Sequence, residues 1–164
     1  LYRTVGWIGS PRVSPEGDRV AFLDCAAPGA DDGCVSLVDR RGRKRALTEH
    51  WQSLRGLAGA PGGREVWFTG AKVGASNSLY AVTPAGKVRL VLRTPGRLVL
   101  HDVSREGRLL ISHDRSRYSI LVKPPGGAPE VEIASLDAAI PRYISTDRRK
   151  VLFTESGEGA GERG

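Results

Sequence analysis

The chain has 164 residues, of which 40% are hydrophobic and 26% are charged; this composition excludes an intrinsically disordered chain and suffices for one hydrophobic core. Its 21 glycines and ten prolines are typical of an all-β chain with many turns, and no apolar run approaches the roughly 18 residues that a membrane helix needs. The net charge of +7 permits weak attraction to phosphates or anionic lipid heads, but the arginines are scattered along the sequence.

A turn followed by a short strand recurs along the chain. The first copy is SPEGDRVAF at 14–22, where Pro15 and Gly17 suit a type I turn and the residues after them favour a strand. The other copies are APGGREVWF (60–68), SREGRLLIS (104–112) and STDRRKVLF (145–153). The four copies start 46, 44 and 41 residues apart, and a second series of turn glycines keeps the same period: Gly42, Gly86 and Gly126. Two landmarks with one period indicate a repeat architecture.

Each period contains four predicted strands, labelled a to d. In chain order they lie near 7–13, 18–24, 34–39 and 43–48; near 53–59, 64–70, 78–83 and 87–92; near 98–103, 108–112, 118–123 and 129–134; and near 139–144 and 149–154. Four strands in about 40 to 45 residues is the spacing of β-propeller blades. The sequence therefore predicts an all-β fold, a β-propeller of four-stranded antiparallel blades. The expected divisions are blade 1 at about 7–48, blade 2 at about 53–92, blade 3 at about 98–134 and a half blade at 139–164.

About three and a half blades cannot close a ring. An open propeller would leave long unpaired strand edges and bare blade faces, which proteins avoid. We therefore expect the chain to be a fragment whose remaining blades lie in the same longer chain. Completion of the ring by a second copy is the alternative.

The links between strands predict where a ligand or partner binds. Because successive strands alternate in direction, the tight a–b and c–d turns lie at one rim and the longer b–c and d–a loops lie at the opposite rim. Binding residues concentrate on variable loops held by a rigid scaffold. The candidate ligand or partner rim comprises His50, Trp51, Arg97, His113, Asp114 and Arg115. For Trp51, packing in the core is favoured over contact with a ligand, because large aromatic side chains are usually buried.

Two cysteines, Cys25 and Cys34, lie at the two ends of the first b–c loop. Strand b ends where strand c starts, so the pair could approach disulfide distance, and a disulfide would imply an oxidising compartment. Two free thiols are the main alternative. A metal site is disfavoured because two thiols without a nearby histidine make a poor zinc set.

No motif for catalysis or for a cofactor emerges from the residues. The three histidines accompany neither a nucleophile elbow nor a metal pair at helical spacing, and Asp31 and Asp32 lack the spacing of a calcium loop. The basic cluster at 39–47 is interpreted as a solvated hairpin tip, because it lacks the interleaved aromatic residues of nucleic-acid surfaces. We expect no catalytic residue, metal, cofactor, nucleic-acid partner or membrane insertion in this segment.

The stretches SPEGDRVAF and VSLVDRRGRKRALT (35–48) resemble the TolB-like, WD-like propeller repeat of bacteria. That repeat opens each blade with a Ser-Pro-Asp-Gly turn; the last turn here has Arg148 where the repeat has glycine. The stretches 65–112 and 150–161 are similar to the propellers of bacterial eukaryotic-type serine/threonine kinases. This narrower resemblance implies a sensor or interaction propeller C-terminal to a kinase, outside the cytoplasm, although a cytoplasmic location stays open.

These observations predict a non-catalytic sensor or protein-interaction segment, whose protein or small-molecule ligand the sequence does not identify. A stand-alone TolB-like envelope scaffold is the first alternative. The second alternative is the propeller of a metal-dependent lyase or of a peptidase-associated domain. A lyase should bring several histidines to one metal, whereas the three histidines here are not repeated at a fixed blade position.

Overall fold

All regular structure in the described part of the chain is β-strand. The computed structural model describes residues 2–74, 76–94, 96–114, 118–124, 126–134 and 138–156. These ranges contain no helix that could span a membrane. The chain divides into two compact units, residues 1–114 and residues 115–164. The expected all-β class is confirmed.

The described residues of the first unit form three antiparallel sheets with strands in chain order. Sheet 1 consists of β1 (Trp7–Val13), β2 (Arg19–Cys25), β3 (Gly33–Asp39) and β4 (Lys44–Ala46). Sheet 2 consists of β5 (Ser53–Gly59), β6 (Val66–Ala71), β7 (Ser78–Val82) and β8 (Val88–Leu92). Sheet 3 has two strands, β9 (Arg97–Val103) and β10 (Leu109–Asp114). The strands of sheets 1 and 2 begin and end within two residues of the expected positions.

The described residues of the second unit form two sheets of two strands each. One pairs β11 (Leu121–Val122) with β12 (Val131–Glu132), and the other pairs β13 (Ala138–Ile144) with β14 (Val151–Ser156). Among the described residues, the two halves of the expected third blade, 98–134, form separate two-stranded sheets, of which the first is sheet 3 of the first unit. The link KPPGGAPE (123–130) contains three prolines, which cannot donate to a strand ladder, and the strands beside it are short.

The repeated turn has one backbone geometry in all four copies. In the first copy the amide of Gly17 donates to the carbonyl of Ser14 at 2.8 Å, and Gly17 has a φ of +68°. The last copy makes the same bond, from the amide of Arg148 to the carbonyl of Ser145 at 2.8 Å, with a φ of +58° at Arg148. A side chain is disfavoured in this left-handed region, so the turn hydrogen bonds hold Arg148 in a strained conformation.

Sheets 1 and 2 share one hydrophobic core with Trp51 at its centre. Trp51 is 0% exposed, and its ring packs edge-on against Phe68 and Tyr80 of sheet 2, with centroids 5.2 Å and 4.7 Å away. Its backbone exchanges two hydrogen bonds with Gly33 of sheet 1, of 2.7 Å and 3.0 Å. The side chains of this cluster come from both sheets: Ala21, Leu23, Cys25, Val35, Leu47, Trp51, Leu54, Leu57, Val66, Phe68 and Val82.

The first strands of the three sheets lie close together. A guanidinium nitrogen of Arg12 on β1 donates to the carbonyl of His101 on β9 at 2.7 Å. On β5, a Cβ added at Gly56 would lie far inside the van der Waals radius of the backbone carbonyl of Leu100 on β9. Glycine at position 56 therefore sets the distance between sheets 2 and 3.

Replacement of Gly56 with alanine should lower the free energy of unfolding by about 2 kcal/mol, because the added methyl group must push two backbones apart. The matched control is Gly59→Ala on the same strand, where an added Cβ meets nothing within 4 Å. Chemical denaturation of both variants measures the difference. Equal midpoints for the two variants would contradict the close approach of β5 and β9.

The expected disulfide between Cys25 and Cys34 is absent, and both thiols are free. In the ladder between β2 and β3, Cys25 lies opposite Gly33 and Cys34 lies opposite Asp24. Side chains alternate between the two faces of a strand, so this one-residue offset directs the two thiols to opposite faces of sheet 1. Cys25 enters the shared core, whereas the Sγ of Cys34 lies 3.8 Å from a carboxylate oxygen of Asp24.

A thiol-specific reagent should detect two thiols per chain in denaturant without any reductant. In the native protein, Cys34 should react before Cys25, because burial raises the pKa of the Cys25 thiol and the nearby carboxylates raise it further. Titration and peptide mapping of the labelled chain measure both points. A mass increase of about two daltons on reduction would reveal a disulfide and refute this arrangement.

Candidate functional site

The longer loops of the first unit contact one another and form the candidate site. We call this surface the loop rim, defined as residues 26–32, 47–52 and 72–77 together with the ends of β9 and β10 at Arg97 and Asp114. The first and third loops are the b–c loops of sheets 1 and 2, and the second connects the two sheets. Each loop starts and ends on a strand of the shared core, so the scaffold determines the positions of the loop side chains.

Backbone groups hold the loops of sheets 1 and 2 in place. The amide of Leu54 donates to the carbonyl of Asp31 at 2.7 Å, next to the paired backbones of Gly33 and Trp51. The amide of Gly74 donates to Oε1 of Gln52 at 3.1 Å. These bonds connect loops that are about twenty residues apart in sequence, and they order the surface before any partner arrives.

Pairs of opposite charge cover the outside of the loop rim. The carboxylate of Asp31 pairs with Arg55, and the carboxylate of Glu49 pairs with Lys72. The hydrogen bond from Lys72 lowers the pKa of Glu49 below its ordinary value, so this carboxylate stays ionised near neutral pH. The arrangement offers both signs of charge to solvent and suits a polar partner.

His50 adds a polar side chain to this surface. It is 65% exposed, and its Nε2 lies 3.2 Å from Oδ2 of Asp32. The Asp32 side chain is 44% exposed, so both groups face solvent in part. His50 is thus where the rim prediction placed it, on the surface and beside a second loop.

Trp51 corrects the rim prediction. The sequence analysis included it among the rim residues, but the structure places its ring inside the core. The bonds between its backbone and Gly33 turn the residue inwards, and the core packing that the sequence favoured is the one observed. Its indole Nε1 has no hydrogen-bond partner among the described residues.

Three of the remaining rim residues lie on sheet 3. Arg97 and Asp114 are opposite each other in the ladder of β9 and β10, and His113 is opposite Leu98. Arg97, His113 and Asp114 are exposed. Arg115 lies outside the described residues. The structure therefore brings three of the six predicted rim residues together at one end of sheet 3.

Asn77 connects sheet 3 to the other loops of the rim. It is 1% exposed; its side-chain Nδ2 donates to Oγ of Ser53 at 2.9 Å, and its backbone carbonyl accepts from the amide of Leu98 at 3.3 Å. Sequence analysis did not identify Asn77, Lys72 or Arg55, because their partners lie in other loops or strands, about twenty residues away. The opposite charges of Glu49 and Lys72 were the signal available for one of these pairs. A single sequence does not show which loops face each other, so the pairing could not be predicted.

The described residues contain no group of three or more His, Cys, Asp and Glu side chains that could hold a metal ion. A cleft of about 130 Å³ opens between sheets 1 and 2 at the opposite rim, beside Pro15 and Gly63. Two of its four charged lining residues form ion pairs, since Arg19 pairs with Asp18 and Glu65 pairs with Arg89. We take the loop rim as the candidate for recognition, because hydrogen bonds between its loops fix their positions.

Comparison with known proteins identifies the fold. No family model and no curated protein matches the sequence. Among solved structures, the chain is similar to TolB from Acinetobacter baumannii, with a TM-score of 0.54 and 16% identity over 94% of this chain and 39% of TolB. It is also similar to a structure from a study of two prolyl endopeptidases, with a TM-score of 0.50 and 16% identity over 83% of this chain and 23% of that one.

The chain thus spans less than half the length of either protein, and likeness at this identity shows the fold alone. Its antiparallel sheets of up to four strands, joined in chain order, agree with the blades of such a protein. The chain folds as part of a TolB-like β-propeller.

Proposed function

We propose that this chain is a non-catalytic interaction segment of a β-propeller and that the loop rim is its recognition surface. The observation that carries the proposal is the ordered set of loops from sheets 1 and 2, which backbone hydrogen bonds fix and which present His50, Glu49 and Lys72 to solvent. A prearranged surface loses little conformational entropy on binding, which favours recognition.

The chemistry of the rim suits a polar partner. Its exposed groups form ion pairs that a partner can replace with its own carboxylates and cations, and exposed pairs of this kind contribute little to stability. Charges at the edge of an interface mainly set specificity and the association rate. The partner would therefore carry opposite charges that match those of Glu49 and Lys72 and a polar group that meets His50.

We further propose that the segment belongs to the extracytoplasmic sensor of a bacterial serine/threonine kinase-like receptor, with the remaining blades in the same chain. This assignment rests on the resemblance of 65–112 and 150–161 to such propellers. The two cysteines add nothing to the proposed location, because their side chains face opposite sides of sheet 1.

The loop rim can be tested with two variants that each remove one acidic and one basic charge, one variant at each rim. Glu49→Ala combined with His50→Ala and Lys72→Ala should abolish the capture of partners from an extract of the source cells, because it removes the exposed charges of the loop rim. The control, Glu16→Ala combined with Lys87→Ala, removes one charge of each sign at the opposite rim. Affinity capture with quantitative mass spectrometry compares both variants with the unmodified chain.

Selective loss of the captured proteins with the first variant is the expected result. If both variants retain the same proteins, or if only the control loses them, the loop rim is not the recognition surface. Circular dichroism of each variant verifies that the sheets are intact, so that a loss of capture reports on the surface.

The receptor assignment predicts the flanking coding sequence. A kinase domain followed by a membrane helix should lie upstream of residue 1, and further propeller repeats should follow residue 164. Sequencing of the complete gene decides this point. A gene without a kinase domain would refute the receptor and leave the interaction propeller to be judged by the capture experiment.

A further inference from the structure

The net charge of the first unit is concentrated at one rim. We call this surface the turn rim, defined as residues 14–19, 39–45, 60–65, 83–89 and 104–108, which contain the a–b and c–d turns. These segments hold eleven arginines and lysines and five acidic residues, a net charge of +6. The rest of residues 1–114 holds six basic and six acidic residues and is neutral. The scattered arginines of the sequence therefore meet on one surface of the fold.

Four of the five acidic side chains of the turn rim are occupied within their own turns or sheets. Asp18 accepts from Ser14, Asp39 accepts from the side chain and amide of Arg43, and Glu106 accepts from Ser104. Glu65 accepts two hydrogen bonds from Arg89, of 2.9 Å and 2.6 Å. These bonds lower the pKa of each carboxyl group, which therefore stays ionised and engaged.

Seven basic side chains of the turn rim are left without a carboxylate. They are exposed, and the described residues supply none of them with an ion pair: Arg40, Arg41, Arg45, Arg64, Lys87, Arg105 and Arg108. They extend from turns of all three sheets. The turns of sheet 1 touch each other, since Nε of Arg40 donates to the carbonyl of Gly17 at 3.1 Å, and Gly63 of sheet 2 lies against Pro15 of sheet 1.

We infer that the turn rim binds the surface of an anionic phospholipid bilayer. A bilayer presents phosphates as a broad surface, and an array of unpaired cations at one end of several sheets matches it by charge alone. The turn rim contains no aromatic residue, so it lacks the stacking platforms with which proteins hold single-stranded nucleic acid. The described residues contain no helix that could enter a DNA groove from this rim.

Sedimentation with vesicles tests the inference. The unmodified chain should bind phosphatidylcholine vesicles that contain phosphatidylserine and should not bind pure phosphatidylcholine vesicles, and added salt should weaken the binding. Arg41→Gln combined with Arg105→Gln should lower the partition coefficient about 25-fold, since each basic residue near the surface contributes about a factor of five. Neither residue makes an ion pair that the substitution would break.

The matched control also removes two positive charges. Arg3→Gln combined with Arg93→Gln leaves the turn rim intact and should change the partition coefficient less than about threefold. Equal losses in the two variants would show that binding depends on net charge alone and would overturn the inference. Failure of the unmodified chain to bind the anionic vesicles at low salt would overturn it as well.

A nucleic-acid surface is the competing outcome. Fluorescence anisotropy with a duplex and a single-stranded oligonucleotide should show no effect specific to Arg41 and Arg105. Tight oligonucleotide binding that these two substitutions abolish, without vesicle binding, would assign the turn rim to nucleic acid instead. Neither measurement involves the loop rim, so the result is independent of the partner-capture experiment.

Discussion

The structure of the first unit depends on the burial of Trp51 between sheets 1 and 2. Its backbone completes the start of β3 through Gly33, while its ring fills the space beside Phe68 and Tyr80. Loss of such a ring from a core typically costs about 3 to 5 kcal/mol, a large part of the stability of a small domain. The loop around Trp51 carries Glu49 and His50, so the same packing that joins the sheets also orders the candidate recognition surface.

The two rims differ in the way their charges are arranged. At the loop rim, residues from different loops pair across the surface, as Glu49 does with Lys72, and acidic residues outnumber basic ones by four to two. At the turn rim, four of the five acids bond to their own turn or sheet, as Asp39 does with Arg43, and the surplus cations make no ion pair with the described residues. The alternating direction of the strands separates the two kinds of link, and this separation yields one weakly acidic surface and one basic surface on the same scaffold.

Sequence analysis located the strands of sheets 1 and 2 because turn chemistry is local: the residues from Ser14 to Gly17 form their turn almost independently of the rest. It did not predict that Cys25 and Cys34 face opposite sides of sheet 1. If β2 and β3 were aligned with a shift of one residue, both thiols would lie on the same face. Trp51 shows a similar limit, since the backbone bond that directs it inwards joins residues from two sheets. Pairs such as Asp31 and Arg55 depend on the same long-range packing.

The outer strands of the two complete sheets present different edges to other chains. In sheet 1 the outer strand β4 has three residues, and Lys44 and Arg45 are two of them. A short, positively charged edge strand repels the same strand of a second molecule, so the two do not pair. In sheet 2 the outer strand β8 is longer, and Leu90 and Leu92 are exposed on it. Self-association under stress would therefore begin when a strand of another molecule pairs with β8, whereas the charges of β4 would oppose such pairing at the edge of sheet 1.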